Sequence, residues 1–344
     1  MQQLAALAGV SAMTVSRALR DDPHVLPETK ALIRALAEEY GYRPRTTVIR
    51  TSLPTLGCIL PLVADPFYAL VLSSILKFTF RHGYHLFVSE TENAPQRTGT
   101  ELLRMVSHGV SGILIASGNH DPLTRAMLLP VLGKGVPVVG LDMTVAEIPI
   151  DIVANQEEEI AATVITYLLR LNHRHIGYLE WASQPDNRRR RAIFQALYQR
   201  GLANSPHHQL ARQPIGKHPA DIYRLFCSGT TLPTAIIAFS DVVAQQFQHL
   251  AIQQGLRIPG DFSLISIANV NGSEYFSPPL TTVEQYPGRL GEQATALLIQ
   301  RINACDDFTT PRQRISIPIN LQVRNSCAAP TCTATKRFAA LWHE

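Results

Sequence analysis

From residue 56 onward, the chain alternates between short apolar segments and longer amphipathic ones, and this alternation restricts the fold more than any other feature. Residues 56–62, 85–90, 111–117 and 137–142 are apolar runs of strand length, separated by segments with helical spacing. A second series of the same kind runs through residues 157–269. Buried strands that alternate with helices of about 10 to 16 residues predict parallel sheets with helices on both faces. Two series of comparable length therefore predict an α/β body of two similar lobes, each a doubly wound parallel sheet.

The lobe boundaries depend on two late segments. Residues 280–285 and 314–324 have strand-like patterns, and they can find partners only by returning to the two sheets. We therefore expect a body of residues 56–326. Its first lobe is predicted to hold residues 56–155 and 284–314, and its second lobe residues 156–283 and 315–326. Residues 327–344 are predicted to be a tail.

The first 43 residues contain helix signals only. Three short amphipathic segments lie within them; Gly9 separates the first two, and Pro27 stands in the first turn of the third. Glycine adopts a positive φ without steric cost, which suits the turn of a helix-turn-helix, although a plain helical hairpin has the same pattern. We predict an all-α domain of residues 1–43. Residues 44–55, with two prolines and little secondary-structure signal, are predicted to be a linker.

Composition narrows the class of protein. Apolar residues make up 46% of the chain and charged residues 17%, which is typical of a globular protein. The formal net charge is +4, and residues 1–50 hold seven Lys or Arg against five Asp or Glu. This modest basic bias is compatible with nucleic acid as a partner. The longest apolar tract, residues 59–76, is interrupted by Asp65 and two prolines, and no secretory signal is recognised, so we expect a cytoplasmic location and no membrane span.

Metal, cofactor and enzyme signatures are missing from the sequence. The five cysteines are scattered without a CxxC pair, so neither a disulfide framework nor a structural zinc site is expected. His173 and His175 have the spacing of a metal pair, but no carboxylate or cysteine accompanies them, and a helix-to-strand turn is the favoured interpretation. No G-x-G-x-x-G, P-loop or G-x-S-x-G motif occurs. We predict no catalytic residue and no cofactor, and we disfavour an α/β sugar-modifying enzyme with a helical accessory head.

Residues 4–44 resemble the DNA-binding head of the LacI/GalR family of transcriptional regulators. The family pattern A-x-x-A-G-V-S-x-x-T-V-S-R-x-L is matched from Ala5 to Leu19, and G-Y-x-P is matched by residues 41–44. The resemblance implies that the second helix enters the major groove of operator DNA, where its alanines let it sit deeply. It implies base contacts from Ala12, Met13 and Arg17, with Arg17 reaching a guanine edge. It implies phosphate contacts from Ser11, Thr14, Ser16, His24 and Thr29.

The linker departs from the family pattern. Members of the family carry a hinge helix whose leucine wedges into the minor groove at the operator centre. Here the linker is shorter and lacks the A-R-S-L-like core, and Pro54 stands near its end. Leu53 is the best substitute for the wedge.

Residues 56–326 are similar to the family's body, which resembles periplasmic sugar-binding proteins and holds a small effector between its lobes. The absence of a signal sequence disfavours a periplasmic binding protein itself. The resemblance implies a dimer formed through the exposed helices of the first lobe together with the second lobe, and two heads on a near-palindromic operator. It implies effector contacts from Asp65, Phe67, Tyr68, Asp142, Arg190, Lys217, Ser240 and Asp241, although Phe67 and Tyr68 also suit a core.

Two positions predict that the effector is charged. Ala268 stands where most members of the family have an aspartate, and Lys217 replaces an aromatic residue. Arg190, within the run 188–191, has a planar fork suited to a carboxylate or phosphate at the start of a helix. We expect a repressor controlled by a sugar acid or sugar phosphate, in keeping with a loose similarity to the gluconate-type branch.

A neutral sugar or polyol is the alternative effector. Asp65, Asp142 and Asp241 keep carboxylates near the cleft, where they can accept hydrogen bonds from hydroxyl groups.

Overall fold

The computed structural model describes residues 2–19, 22, 24–40, 53–116, 125–143, 150–181, 188–202, 210–213, 233–304 and 311–331. The chain divides into two compact units, Met1–Ser52 and Leu53–Glu344.

The first unit is built from three helices: α1 (Gln2–Ala8), α2 (Ala12–Leu19) and α3 (Pro27–Glu39). Gly9 makes the turn between α1 and α2 with φ +65° and has no atom near its missing side chain. Ser11 ends that turn, and its Oγ accepts a hydrogen bond from the backbone N–H of Thr14 at 3.1 Å. The helix-turn-helix predicted from the sequence is therefore present.

A small apolar core holds the three helices together, and it corrects the expected role of the alanines. Val15 and Ile33 are fully buried in this core, and Ala18 beside them is also fully buried. Ala12 packs against the same cluster. Ala18 therefore lets the helices of the unit pack closely instead of lying on a surface offered to another molecule. Ala12 is only partly buried, and its base contact stays a prediction.

The second unit contains alternating strands and helices, which are numbered here along the chain. In the described residues they are β1 (Thr55–Leu60), α4 (Pro66–Arg81), β2 (His85–Glu90), α5 (Pro95–Ser107), β3 (Gly112–Ile115), α6 (Arg125–Leu132), β4 (Val138–Leu141), β5 (Asp151–Ala154), α7 (Glu157–Arg170), β6 (Ile176–Trp181), α8 (Arg188–Gln199), β7 (Leu210–Gln213), β8 (Ala235–Ala238), α9 (Asp241–Gln253), β9 (Ser263–Ala268), β10 (Thr281–Glu284), α10 (Pro287–Asn303), β11 (Arg314–Ser316) and β12 (Asn320–Gln322).

The first sheet has the order β11-β5-β4-β3-β1-β2, and every pairing in it is parallel. Helices α4 and α10 cover one face, where Val71 and Leu290 pack against Leu56 of β1. Helices α5 and α6 cover the other face through Leu102 and Leu128. This lobe is a doubly wound sheet with a core on both faces, as the sequence predicts.

The second sheet repeats the plan with the order β12-β10-β9-β8-β6-β7. Its pairings are parallel except that between β10 and β12. Helices α7 and α8 cover one face, and α9 covers the other. The predicted α/β class with two lobes is confirmed.

The chain crosses between the sheets at three places in the described residues: after β5, after β10 and after β11. The second crossing follows Glu284, and the third follows Ser316 rather than residue 314. The sequence pattern missed the third by two residues because 314–324 reads as one continuous strand, although it serves both sheets.

The predicted tail also needs correction. Residues 327–331 contact the second lobe, where the Ala328 carbonyl accepts a hydrogen bond from Ser263 Oγ at 2.9 Å. Nε2 of the buried His173 lies 2.9 Å from the same carbonyl. These residues therefore belong to the body.

One buried amide connects all three crossings. Nδ2 of Asn155 donates to the Gln285 carbonyl at 3.2 Å and to the Ile317 carbonyl at 3.0 Å. Nε2 of Gln285 donates back to Oδ1 of Asn155 at 3.3 Å. The hinge between the lobes is thus fixed around a single pair of carboxamides.

Helices α4 and α10 approach closely at Gly291. A Cβ placed there would lie 2.6 Å from the Val71 carbonyl and 2.1 Å from Oγ of Ser74. The carbonyl is backbone and cannot move aside alone, so only glycine allows this approach.

We expect Gly291→Ala to destabilise the body by roughly 1–3 kcal/mol, because the added methyl overpacks the contact between the two helices. Gly288→Ala is the matched control, since nothing lies within 4 Å of a Cβ at that position of the same helix. Urea unfolding followed by circular dichroism measures both. Equal stabilities for the two variants would contradict this account of the contact.

Candidate functional sites

The first unit exposes a polar surface on α2 and on the turn that follows it. Met13 is 65% exposed, and the Arg17 side chain is 52% exposed. Nε of Arg17 lies 3.8 Å from Oδ2 of Asp22. The other oxygen of Asp22 accepts from the His24 backbone N–H, and this bond lowers the pKa of Asp22. The exposed arginine is therefore oriented by a carboxylate and remains available at the surface.

The hydroxyl groups predicted near DNA differ in their surroundings. Oγ of Ser11 lies 2.9 Å from Oγ1 of Thr14, and it also caps α2, so Ser11 has a structural role. Thr29 lies half-exposed in the first turn of α3, and His24 is exposed. The side chain of Ser16 lies outside the described residues. The DNA contacts assigned to these residues stay predictions.

Leu53 belongs to the second unit, just before β1. It is 48% exposed, and the neighbouring Pro54 carbonyl accepts a hydrogen bond from the His85 N–H at 2.9 Å. The main chain is therefore attached to the first sheet immediately after Leu53. Its role as a minor-groove wedge stays a prediction.

Three predicted effector contacts of the first lobe meet at the carboxyl ends of its strands. Asp65 caps α4, where its Oδ1 accepts from the Phe67 N–H at 2.8 Å. The Tyr68 hydroxyl donates to Oδ2 of Asp142 at 3.5 Å. Asp142 follows β4 with φ +46° and is buried. Ligands of open α/β sheets bind at this end of the strands.

Burial changes the acidity of these groups. Desolvation raises the pKa of Asp142 to about 6, and the nearby charge of Glu157 adds to the shift. Desolvation also raises the pKa of Asp65. Burial raises the pKa of Tyr68 well above its ordinary value, so this hydroxyl is a hydrogen-bond donor at neutral pH. The site thus offers the hydrogen-bond donor Tyr68 beside two carboxyl groups, Asp65 and Asp142, whose ionisation is disfavoured by burial.

The arginines that begin α8 have three different environments. Arg189 is buried and forms a two-pronged pair with Glu157, at 3.0 and 3.1 Å. It also donates to the Phe239 carbonyl at 2.6 Å and to Oε1 of Gln285 at 3.3 Å. Arg189 therefore ties α8 and α7 to the hinge, and this structural role was not predicted from the sequence.

The predicted effector contact Arg190 is paired within the second lobe. Its Nη1 donates at 2.7 Å to Oε1 of Glu180, which is fully buried. Arg188 differs, because its Nη1 is buried yet has no hydrogen-bond partner among the described residues. Its charge, like that of Arg189, lowers the pKa of Asp142. Arg188 therefore has a buried donor still available, and the effector contact assigned to Arg190 stays a prediction.

Two further predicted contacts prove to be structural. Phe67 lies in the core of the first lobe. Asp241 is fully buried and accepts from Ser266 Oγ, Thr282 Oγ1 and the Val270 N–H, at 2.5, 2.6 and 2.8 Å. Both of its carboxylate oxygens are therefore occupied in holding the loop after β9.

The remaining predictions have separate outcomes. Oγ of Ser240 accepts from the Val243 N–H and caps α9. Lys217 lies outside the described residues. Ala268 ends β9, buried against the core of the first lobe, so no carboxylate occupies that position.

Within the described part of the chain, no group of three His, Cys, Asp or Glu side chains could hold a metal ion. Nδ1 of His173 lies 2.9 Å from Thr234 Oγ1, in the turn before β6, as expected of a helix-to-strand connection. Among those same residues, no helix has the length and apolar character needed to cross a membrane.

We expect Asp142→Asn to change how the stability of the ligand-free protein depends on pH. A carboxyl group whose pKa rises on folding favours the folded state below about pH 4 and loses that contribution as pH rises through about 6. The asparagine variant should therefore be more stable than the parent at pH 8, by roughly 2–3 kcal/mol, with the difference vanishing towards pH 4. Urea unfolding across this range is the measurement. Glu159→Gln, at an exposed position of α7, is the control, and a pH-independent difference for Asp142→Asn would contradict the assignment.

Comparison with known proteins gives matches for both units. Residues 1–45 match the family model described as "Bacterial regulatory proteins, lacI family". Residues 165–327 match "Periplasmic binding protein-like domain". One similar relative is the HTH-type transcriptional repressor PurR of Pasteurella multocida, which is 27% identical over 309 residues covering 88% of this chain and 92% of the relative.

Solved structures resemble the fold. A LacI family transcriptional regulator from Enterococcus faecium with bound ribose has a TM-score of 0.70 and 21% identity, covering 80% of this chain and 100% of that one. The lac repressor dimer bound to operator and the anti-inducer ONPF has a TM-score of 0.66 and 23% identity, covering 95% of this chain and 98% of that one.

Proposed function

Because the chain is a member of the LacI family of bacterial regulatory proteins, we propose that it is a homodimeric repressor whose affinity for operator DNA is controlled by an anionic carbohydrate. The DNA is read by α2 in the first unit, and the effector binds between the two lobes of the second. The buried Nη1 of Arg188, which has no hydrogen-bond partner among the described residues, is the observation that supports the effector class.

The geometry of the first unit supports the DNA-reading role. Ser11 and Gly9 fix the start of α2, and Met13 and Arg17 extend from its exposed face. In a helix-turn-helix, a compact core holds the second helix so that its exposed side chains can enter the major groove. One such helix makes few base contacts, so a specific operator requires two heads.

Exposed apolar side chains support the dimer. Leu76 and Phe80 lie one helical turn apart on α4, and they are 47% and 85% exposed. Tyr275 of the second lobe is 83% exposed. Large apolar groups left on the surface of both lobes are what a second copy of the chain would cover.

We expect operators selected from random DNA to be near-palindromes with half-sites about one helical turn apart, bound by a dimer. Arg17→Ala should weaken binding by roughly 1–3 kcal/mol and relax the preference at one base position in each half-site. Selection followed by gel shifts measures both effects. Arg200→Ala, at an exposed position just after α8, removes the same charge outside the head and should change neither. A monomer that binds the selected DNA specifically, or an unchanged preference in Arg17→Ala, would contradict the proposal.

The buried guanidinium nitrogen of Arg188 favours an anionic effector. A buried donor without a partner costs free energy, and a charged one costs more. The pKa of Asp142 is raised to about 6 although the charge of Arg188 lowers it, so desolvation and the charge of Glu157 outweigh the attraction between these two groups. A ligand carboxylate or phosphate would supply the missing acceptor in a bidentate geometry that suits arginine.

A neutral sugar is the second candidate, favoured by a different observation. Asp65, Tyr68 and Asp142 stand together in the first lobe and can bond to hydroxyl groups as acceptors and a donor. The Enterococcus faecium structure contains ribose, which is a neutral sugar. The relatives named above are called PurR, so the gluconate-type branch stays a prediction.

Calorimetric titration separates the two candidates. We expect gluconate or glucose 6-phosphate to bind at least tenfold more tightly than glucose. Arg188→Gln should remove that preference while leaving weak binding of glucose, because only the anion contact is lost. Arg191→Gln is the matched control, since Arg191 lies exposed on the same turn of α8. Tighter binding of glucose that is insensitive to Arg188→Gln would select the neutral candidate.

A further inference from the structure

A second cavity lies outside the cleft residues described above, beside the crossing that follows β10. Its volume is about 620 Å³, and α4, the loop after β9, the first turn of α10 and Arg324 line it. Small-molecule sites have volumes of about 300 to 1,000 Å³. None of Asp65, Tyr68, Asp142 or Arg188 contributes to its wall. We propose that this cavity is a second effector site, which binds a small phosphorylated metabolite.

Two charged side chains of the wall, Glu284 and Arg324, are held in place by hydrogen bonds to uncharged groups. Glu284 accepts from the Asn269 side-chain amide and from the Tyr286 N–H. Arg324 donates to Oδ1 of the same Asn269 at 2.8 Å and to the Leu280 carbonyl at 2.7 Å. These side chains hold one another in place and form a preorganised wall of the second lobe.

Two cations in the wall have no such acceptor. Lys77 of α4 and Arg289 of α10 line the cavity, and neither forms an ion pair within the described residues. The Arg289 guanidinium lies 5.8 Å from the centroid of the Tyr286 ring. Glu274, on the opposite lobe, also lines the cavity. With Arg324 and Glu284 included, the wall carries three positive charges against two negative charges, and this excess of positive charge favours an anion.

The residue types indicate phosphate as the anion. Arginine binds phosphate through a planar fork, and lysine binds it as a point charge. Asn271 and Glu274 on the facing loop provide an amide and a carboxylate for hydroxyl groups, and Tyr286 provides a ring face. A hydroxyl-bearing ligand with one phosphate matches this arrangement.

The position of the cavity gives the ligand a regulatory role. Lys77 and Arg289 belong to the first lobe, whereas Asn271 and Glu274 belong to the second. A ligand that contacts both walls favours the arrangement of the lobes in which both are within reach. Since the cleft effector also bridges the lobes, the two ligands are coupled, and each changes the affinity of the other by the same factor.

The test uses the full-length protein and three probes: inorganic phosphate, glucose 6-phosphate and glucose. We expect calorimetry to show a phosphate-dependent site that survives Arg188→Gln. The double substitution Lys77→Gln with Arg289→Gln should weaken that site at least tenfold. Arg81→Gln is the charge control on α4, because Arg81 is exposed and does not line the cavity, and it should leave the affinity unchanged.

The outcomes separate this site from the cleft. If Arg188→Gln abolishes all phosphate-dependent binding, only the cleft site exists and this proposal is overturned. If the double variant binds both phosphate probes as the parent does, or if the parent shows no phosphate-dependent binding, the proposal is also overturned. A cleft that prefers glucose, combined with a phosphate site lost only in the double variant, would overturn the proposed effector class and leave this proposal standing.

Discussion

The structure of the body depends on the buried carboxamides of Asn155 and Gln285. They bond to each other, and Asn155 also reaches the Ile317 carbonyl, so one small cluster contacts all three crossings between the lobes. Removing either amide would leave buried carbonyls without donors, at a cost of about 1–3 kcal/mol each. Arg189 bonds to the same Gln285 and to Glu157 beside the cleft. The groups that hold the lobes together are therefore in direct contact with those beside the proposed effector site.

The four consecutive arginines at the start of α8 are identical residues, but they have different surroundings. Successive positions are turned by about 100° around the helix axis. Arg189 therefore bonds to Gln285 at the hinge, Arg190 bonds to Glu180 within the second lobe, and Arg188 keeps one buried nitrogen without a hydrogen-bond partner among the described residues. Because Arg189 and Arg190 are paired internally, the proposal of an anionic effector rests on Arg188.

Much of this architecture could be predicted from the sequence, because strand and helix periods are local properties. The two series of alternating elements and the turn at Gly9 follow from such patterns, whereas Asp65, Tyr68 and Asp142 were expected to lie at one site because of the resemblance to the LacI/GalR family. Long-range partners do not. Asp241 was expected to contact a ligand, but its carboxylate accepts hydrogen bonds from Ser266 and Thr282. These two residues lie 25 and 41 positions away along the chain.

Burial was also mispredicted where a pattern fits two environments. Ala18 suits both a close contact with DNA and a tightly packed core, and only the position of Ile33 on α3 decides between them. The choice among Arg188, Arg189 and Arg190 likewise required the positions of Glu157 and Glu180, which lie on other elements.

The close contact at Gly291 has a mechanical consequence. With only a hydrogen atom at Gly291 between them, α4 and α10 are packed too closely to slide past each other. Helix α10 begins directly after Tyr286, the residue that follows Gln285 at the hinge. A helix of 16 residues is about 24 Å long. If the helix pair turned by about 10° at the hinge, the far end of a helix of this length would move by about 4 Å. A small turn at the hinge would therefore be amplified at the exposed end of α4, where Phe80 lies.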